Sequence, residues 1–408
     1  MSIREQFTIP KNYKWWSYAL IGVGLISTLL LYISHGTSAD EHVRSRFWAS
    51  LLQNSVFFLL VVNAAMFFIC TTILAWGGWA ISFRRVPEAI ASAVPVIGII
   101  CGAILLAIVF GGDHAIYHWT DAEHVKHDPI LNHKSVFLNK NFFLVWTVLT
   151  IFLWWVLGKK IRTLSIDTDK GVLSVAENKK FVWKNTVWAA LFMVVFALTV
   201  MSTIPWLWLM SIDAHWYSTM YSWYTFASTF VSGMALIAIF VVYLKNKGYL
   251  EYTNQEHLHD LGKFMFAFSV FWTYLWFSQY MLIWYSNQPE ETIYFQPRVH
   301  GVYKTIFFLN LIINFLAPLL LLMKRDAKRN YMTITLLAVL IIFGHWLDFF
   351  QMVHPGTSKN HVPAMLYDLG IGLGFVGLIM FVTGRSLAKH PMVPKYHPFF
   401  KESVIHHT

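Results

Sequence analysis

Apolar residues in this chain run in blocks of about 20, the length that crosses the hydrocarbon core of a bilayer as a helix. Ten such blocks stand out, at 15–33, 48–76, 88–110, 141–157, 186–209, 221–244, 263–286, 302–323, 331–350 and 366–383. The pattern predicts an all-α integral membrane protein of about ten transmembrane helices. Pro87 suits the first turn of the third span, and Pro205 should kink or loosen the end of the fifth.

The stubs between the blocks set the orientation. With the N-terminus inside, the inside segments hold 23 of the 31 Lys and Arg residues and the outside segments hold 8. That asymmetry is the positive-inside signature, and it predicts both termini on the cytoplasmic side. Residues 1–14 are then a cytoplasmic tail, 15–383 the transmembrane domain, and 384–408 a second cytoplasmic tail. The start of the chain mimics a signal peptide, with Arg4, Lys11 and Lys14 ahead of an apolar stretch. Trp15 to Ile33 is longer than an ordinary signal core, and Thr37-Ser38-Ala39 is a weak cleavage sequence. The expectation is an uncleaved first span in a bacterial inner membrane.

Composition agrees. Hydrophobic residues make up 57% of the chain and charged ones 13%, too few to cover a soluble protein of this size. The 19 Trp residues favour membrane interfaces. The net charge of +10 does not point to nucleic acid, because the basic residues sit in short stubs rather than on one face. Cys70 and Cys101 both lie inside apolar blocks. They offer no disulfide framework, no c-type haem attachment motif and no iron–sulfur ligand set. No covalently bound cofactor is expected, and any haem c or iron–sulfur cluster would belong to another protein.

Ionisable residues inside a span are costly and are functional candidates. His345 and Asp348 stand three apart on one face of the ninth span, about 21 Å from its start and so in the outer half. The alternative is a packed pair that only pins helices. Asp113, His114, Asp213, His215, Gln279 and Asp368 gather at the same level, and several of them read equally well as wet loop residues. Glu256, His257, His259, Asp260 and Lys263 mark the inner end of the seventh span, as a proton entrance or a solvated helix start. Asn310 and Asn314 either bridge the two levels with water or make interhelical hydrogen bonds. A proton path is thus predicted from His259, Asp260 and Lys263 past Asn310 and Asn314 to Gln279, His345 and Asp348. Asp213 and Asp368 would form its exit.

Other motifs read as structure. Of 18 His, only His345 is clearly inside a span, so bis-histidine haem is not expected. His114, His118, His124, His127 and His133 lack a metal-ligand spacing, and no metal site is expected there. Gly372-Leu373-Gly374-Phe375-Val376-Gly377 matches a dinucleotide-binding pattern, but it lies inside the tenth span with no strand before it. Gly370 with Gly374, and Gly98 with Gly102, read as close helix packing.

Four segments carry a family resemblance. They are Ser211-Ile212-Asp213-Ala214-His215-Trp216-Tyr217-Ser218-Thr219-Met220-Tyr221, then His259-Asp260-Leu261-Gly262-Lys263. The third runs from Phe271 through Ser278-Gln279-Tyr280 to Tyr285, followed by Asn287-Gln288-Pro289-Glu290-Glu291-Thr292, and the fourth is Gly344-His345-Trp346-Leu347-Asp348. Together they resemble the NrfD-type integral membrane subunits of bacterial alternative complex III, a respiratory quinol:cytochrome c (or other electron carrier) oxidoreductase. Length and the short C-terminal tail are closer to the smaller of its two such subunits. The resemblance covers roughly the second half of the chain.

It implies two four-helix bundles, spans two to five (48–209) and six to nine (221–350), with one flanking helix on each side. It also implies partners: a second NrfD-like subunit, a haem c subunit and an iron–sulfur subunit, with a terminal oxidase and lipid beyond them. Quinol or menaquinol becomes a candidate substrate, with His345, Asp348, Asp113 and His114 as candidate quinone-binding residues. Quinol-oxidising members carry a His and acids near the outer face of the first bundle. Here that bundle offers Gln53, Asn54 and Asn63, with Asp113 and His114 at its rim. Two readings stand beside this one, a scaffold subunit without proton or quinol chemistry and a stand-alone secondary transporter.

Overall fold

The structure, a computed structural model, describes residues 6–112, 114–358 and 365–407. Within them the chain is helical, and the only bridge is an isolated pair between Gln6 and Pro391. Ten long segments match the ten apolar blocks. They are α1 (Lys11–Leu31), α2 (Glu41–Leu74), α3 (Arg85–Phe110), α4 (Lys140–Asp167) and α5 (Val175–Trp208), then α6 (Met220–Asn246), α7 (Gln255–Ser286), α8 (Gly301–Leu322), α9 (Tyr331–Ser358) and α10 (Met365–Leu387).

Among the described residues nine of these, all but α7, are long and apolar enough to cross a bilayer, so the chain is a multi-pass membrane protein. The exception has 32 residues, ample length. Its composition sets it apart, because Trp272-Thr273-Tyr274 and Ser278-Gln279-Tyr280 interrupt the apolar run. Polar caps fix several helix starts: the Asp40 side chain accepts from His42 N, Asn139 from Phe142 N, and Ser174 with Glu177 forms a capping box.

Burial ranks the helices. The most apolar stretches of α2 and α6 are each 83% buried, against 17% for α1. A helix apolar all round belongs in the centre, and every α2 residue from Leu52 to Cys70 is buried. The α2 helix packs on α3, α5, α6, α9 and α10, while α6 packs on α7 and α9. The seam between α2, α5, α6 and α7 is closed by phenylalanines, with Phe67–Phe196 and Phe230–Phe268 ring centroids each 4.4 Å apart. The outer helices turn apolar side chains outward, among them Leu25, Ile99, Phe152 and Leu320.

Close approach needs glycine where two backbones meet. A Cβ on Gly24 of α1 would lie 2.5 Å from Gly374 Cα of α10, and one on Gly98 would lie 2.6 Å from Ile151. The glycines of α10 are packing surface, as the sequence suggests.

Two helices widen into a π turn just before a proline. In α5 this is Thr199–Thr203 ahead of Pro205, and in α8 it is Ile312–Leu316 ahead of Pro318. Proline has no N–H to donate back, so the ladder opens there. In α5 the opening is stitched shut. Trp154 and Trp146 of α4 donate to Thr199 and Thr203 at 3.0 and 2.9 Å, and Ser222 donates to the Ser202 carbonyl at 2.8 Å.

Several helix ends differ from the expected spans: α4 runs on to Asp167 rather than 157, and α5 begins at Val175 rather than 186. The ninth span was expected to stop at 350, but α9 runs on through Pro355 to Ser358. His354-Pro355-Gly356 reads as a turn on local propensity, and burial of this segment against its neighbours overrides that preference.

Both described chain ends lie at one end of the helices. Gln6 donates to the Ala388 carbonyl at 2.7 Å, and His406 reaches Asp260 at 2.6 Å.

Candidate functional site

The outer-half pair predicted on α9 is the centre of a closed polar cluster between α6, α7 and α9. His345 and Asp348 are both fully buried. Asp348 accepts from Tyr224 O–H on one oxygen, and from Ser228 Oγ at 3.1 Å and Trp272 Nε1 at 3.0 Å on the other. Ser228 Oγ also lies 3.0 Å from His345 Nδ1, and so bridges a His345–Asp348 separation of 4.0 Å. The Trp272 ring meets the imidazole edge-on, with centroids 5.2 Å apart. Three donors are what a buried carboxylate without a lysine or arginine partner requires. His345 Nε2 is buried with no hydrogen-bond partner.

Near this cluster the amides are unsatisfied. Asn314 sits in the π turn of α8, and its carbonyl oxygen lies where a Gly344 side chain would be. Both of its amide atoms are buried without a partner, as are Asn310 Oδ1 and Gln279 Nε2. Among the described residues these atoms make no hydrogen bond, so of the two readings of Asn310 and Asn314 the water-bridged one is favoured. Each such atom costs about 1–3 kcal/mol unless water or a mobile proton carrier serves it.

Towards the inner end the middle is not restricted to amides. Thr229 and Ser232 of α6 and Ser269 of α7 are buried on the side of the cluster facing Asp260, Thr225 and Thr273 are buried at the level of the cluster, and among the described residues Ser269 Oγ has no partner. The α6 hydroxyls recur every three or four residues, a stripe visible in the sequence and overlooked there because serine and threonine are not titratable.

At the inner end Asp260 pairs with Lys263 at 2.5 Å and with His406 at 2.6 Å, and His259 Nδ1 lies 3.9 Å away. Glu256 pairs with Arg329 at 2.8 Å. The C-terminal tail covers this end. Ser403 donates to the Trp79 carbonyl at 2.6 Å and lies 3.2 Å from His257 Nε2. Lys328 is buried beneath, donating to the Leu322 carbonyl at 2.6 Å. Burial, with Arg325 and Lys263 nearby, pushes its ammonium below the ordinary value. In the sequence it counts only as one more cytoplasmic charge.

The predicted exit divides. Asp213 pairs with buried Arg298 at 3.3 Å, and a Cβ on Gly356 would touch its carboxylate. Arg298 also donates to the carbonyls of Gln351, Met352 and Tyr294, and lies 3.4 Å over the Tyr294 ring. Asp368 instead faces His354, 3.8 Å away, beside α2. Positions 354 and 356 lie roughly 200° apart around α9, so the two carboxylates occupy opposite sides of that helix. His354 corrects the reading that His345 alone lies within a span. Its Nε2 is 3.2 Å from Gln53 Oε1, and Gln53 in turn donates to the Trp346 carbonyl at 3.1 Å.

Of the candidate quinone residues His345 and Asp348 lie together, His114 bonds Thr120 within its own loop at 2.6 Å, and Asp113 lies outside the described residues. His215 of the same rim pairs with Asp128 at 2.5 Å. Among the described residues no three His, Cys, Asp or Glu side chains group as a metal site. A search against family models and curated proteins finds no match to this chain.

Proposed function

We propose that this chain is a membrane subunit of a respiratory quinol:electron-carrier oxidoreductase of the alternative complex III type, and that its own task is to move protons through the α6–α9 helices. In this reading ten helices span the inner membrane with both termini cytoplasmic, and α2–α5 and α6–α9 form two bundles flanked by α1 and α10. The neighbour relations support it, since α2–α5 and α6–α9 each close a ring of contacts. Redox centres sit on haem c and iron–sulfur partner subunits, and quinol or menaquinol is oxidised in the assembled complex.

The observation that carries the reading is the buried Asp348–Ser228–His345 relay. Adding one proton to the pair gives either an Asp348 carboxylate with a His345 imidazolium, or two neutral groups. Shifting two protons across the Ser228 hydroxyl interconverts them, with no heavy atom required to travel. Unsatisfied Asn314, against Gly344, supplies a site for water on the way in, whereas Asn310 and Gln279 lie level with or beyond the relay, on the side where Tyr224 leads outward towards Tyr221, Tyr294 and Asp213. Full burial favours proton over quinol chemistry here, because a quinone headgroup needs an open trough.

Asp348→Asn keeps shape and hydrogen bonding but removes the titrating charge. Assembled complex carrying it is expected to lose the proton release beyond the two protons that oxidation of each quinol itself frees. Unchanged turnover with unchanged proton release would sink the pathway through Asp348. Transport of a solute by the chain alone in vesicles would favour the transporter reading instead.

A further inference from the structure

A second feature, unconnected to the relay, lies at the basic end of α2, α3 and α4. A cleft of about 110 Å³ opens sideways there, between α3 and α4. Its wall runs from Lys159 and Arg162 at the mouth, past Trp155 and Ser92, to Asn63 at the closed end. Lys159 and Trp155 are exposed and Arg162 half-buried, while Asn63 is fully buried. Among the described residues both amide atoms of Asn63 lack a partner, so the closed end presents one donor and one acceptor to whatever enters.

The charges at the mouth are unbalanced. Glu88 lines the cleft, but its two oxygens are taken by Arg84 at 2.9 Å and Arg85 at 3.1 Å, and Arg85 also holds Asp169 at 2.7 Å. Lys159 makes no ion pair among the described residues and rests 5.6 Å from the Trp155 ring. Arg162 donates to the Ser386 carbonyl at 3.3 Å. Beyond the mouth, towards the bilayer centre, the surfaces of α3 and α4 are apolar and exposed, with Ile99 at 71% and Phe152 at 51%.

A cationic mouth at headgroup depth, a polar closed end and an apolar track alongside match one class of ligand. We propose that the cleft binds an anionic phospholipid. Lys159 and Arg162 take its phosphate, the Asn63 amide meets the glycerol-ester region, and one acyl chain lies along Ile99 and Phe152. A zwitterionic lipid would add a cation where Lys159 and Arg162 already stand. A quinone headgroup would use Asn63 but gain little from two cations.

The proposal depends only on the chain being a membrane protein. Its test uses the full chain in detergent, titrated with phosphatidylglycerol or phosphatidylcholine and read by native mass spectrometry and by thermal melting. Wild type is expected to retain phosphatidylglycerol and to melt higher in its presence, with phosphatidylcholine about tenfold weaker. Lys159→Gln with Arg162→Gln should remove that preference, and Lys159→Gln alone, which breaks no contact within the described residues but the Trp155 one, should reduce it while leaving the melting temperature without lipid unchanged. Asn63→Leu, which fills the closed end, should weaken both lipids alike. Equal binding of the two lipids by wild type, or an unaltered preference in the double variant, overturns the proposal. So does a ubiquinone or menaquinone analogue that displaces the lipid and binds the double variant as well as wild type.

Discussion

Ser228 is the smallest group in the relay and the most informative one to change. Ser228→Ala leaves Tyr224 and Trp272 still donating to Asp348, so the carboxylate keeps two of its three donors. It leaves His345 and Asp348 4.0 Å apart with no hydroxyl between them. The stability cost should be about 1 kcal/mol, that of one hydrogen bond, while proton release beyond the two freed by each quinol falls severalfold. Melting of the purified chain and proton release by the assembled complex check the two halves separately. Release at the wild-type level in Ser228→Ala would show that the proton does not cross this hydroxyl. The His345–Asp348 pair was legible because a three-residue spacing on a helix fixes a shared face whatever surrounds it. Tyr224, Ser228 and Trp272 were not, because they reach Asp348 from two other helices and nothing local encodes which faces meet. Arg298 and His354 escaped for a simpler reason: both lie where the sequence reads as loop, and burial by distant segments makes them interior.

At the scale of the element, the two proline-linked π turns make a contrast that explains where polar atoms stay open. In α5 the widened turn presents Thr199 and Thr203, and two tryptophans of α4 satisfy both. In α8 it presents Asn314, which no side chain satisfies. Replacing Pro318 by Ala restores a donor to the Asn314 carbonyl and removes the reason for the widened turn. Closing a π turn deletes one residue's worth of rotation, so Asn314 should swing by about 100° away from Gly344. The variant is expected to melt at or above the wild-type temperature while losing proton release. Loss of both together would instead mean that the turn is needed for folding. Loosening at Pro205 follows from the sequence alone. That Pro318 does the same does not, because only the packing of Asn314 against Gly344 makes the wider turn worth its lost hydrogen bonds. Element existence was readable throughout, since a 20-residue apolar block has few alternatives. Element length was not, as α9 shows, because a buried tail of helix carries no surplus of hydrophobicity.

For the whole molecule, orientation and the docking of the tails are the open physical questions. The charge asymmetry predicts the loop holding Lys126 outside and the one holding Lys170 inside. Reporter fusions after those two residues should therefore report opposite faces; the same face for both would overturn the orientation. Both tails meet at the basic end, where the C-terminal one is held by a buried histidine. His397 lies 3.2 Å from Arg84 Nη1, edge-on to Phe181 at 5.3 Å. Burial above all, then Arg84 and Arg85, holds its pKa well below the ordinary 6.5, so it is neutral when docked. An undocked tail takes up a proton below that ordinary value and the docked one does not. Docking is thus at full strength above the ordinary value and weakens as the pH falls below it. Amide exchange across 388–407, corrected for its intrinsic pH dependence, should quicken as the pH drops through roughly 6. In His397→Gln the exchange of the tail should be faster at neutral pH and less dependent on pH across the same range. A wild-type tail whose exchange ignores pH there would mean that the histidine is not what holds it down.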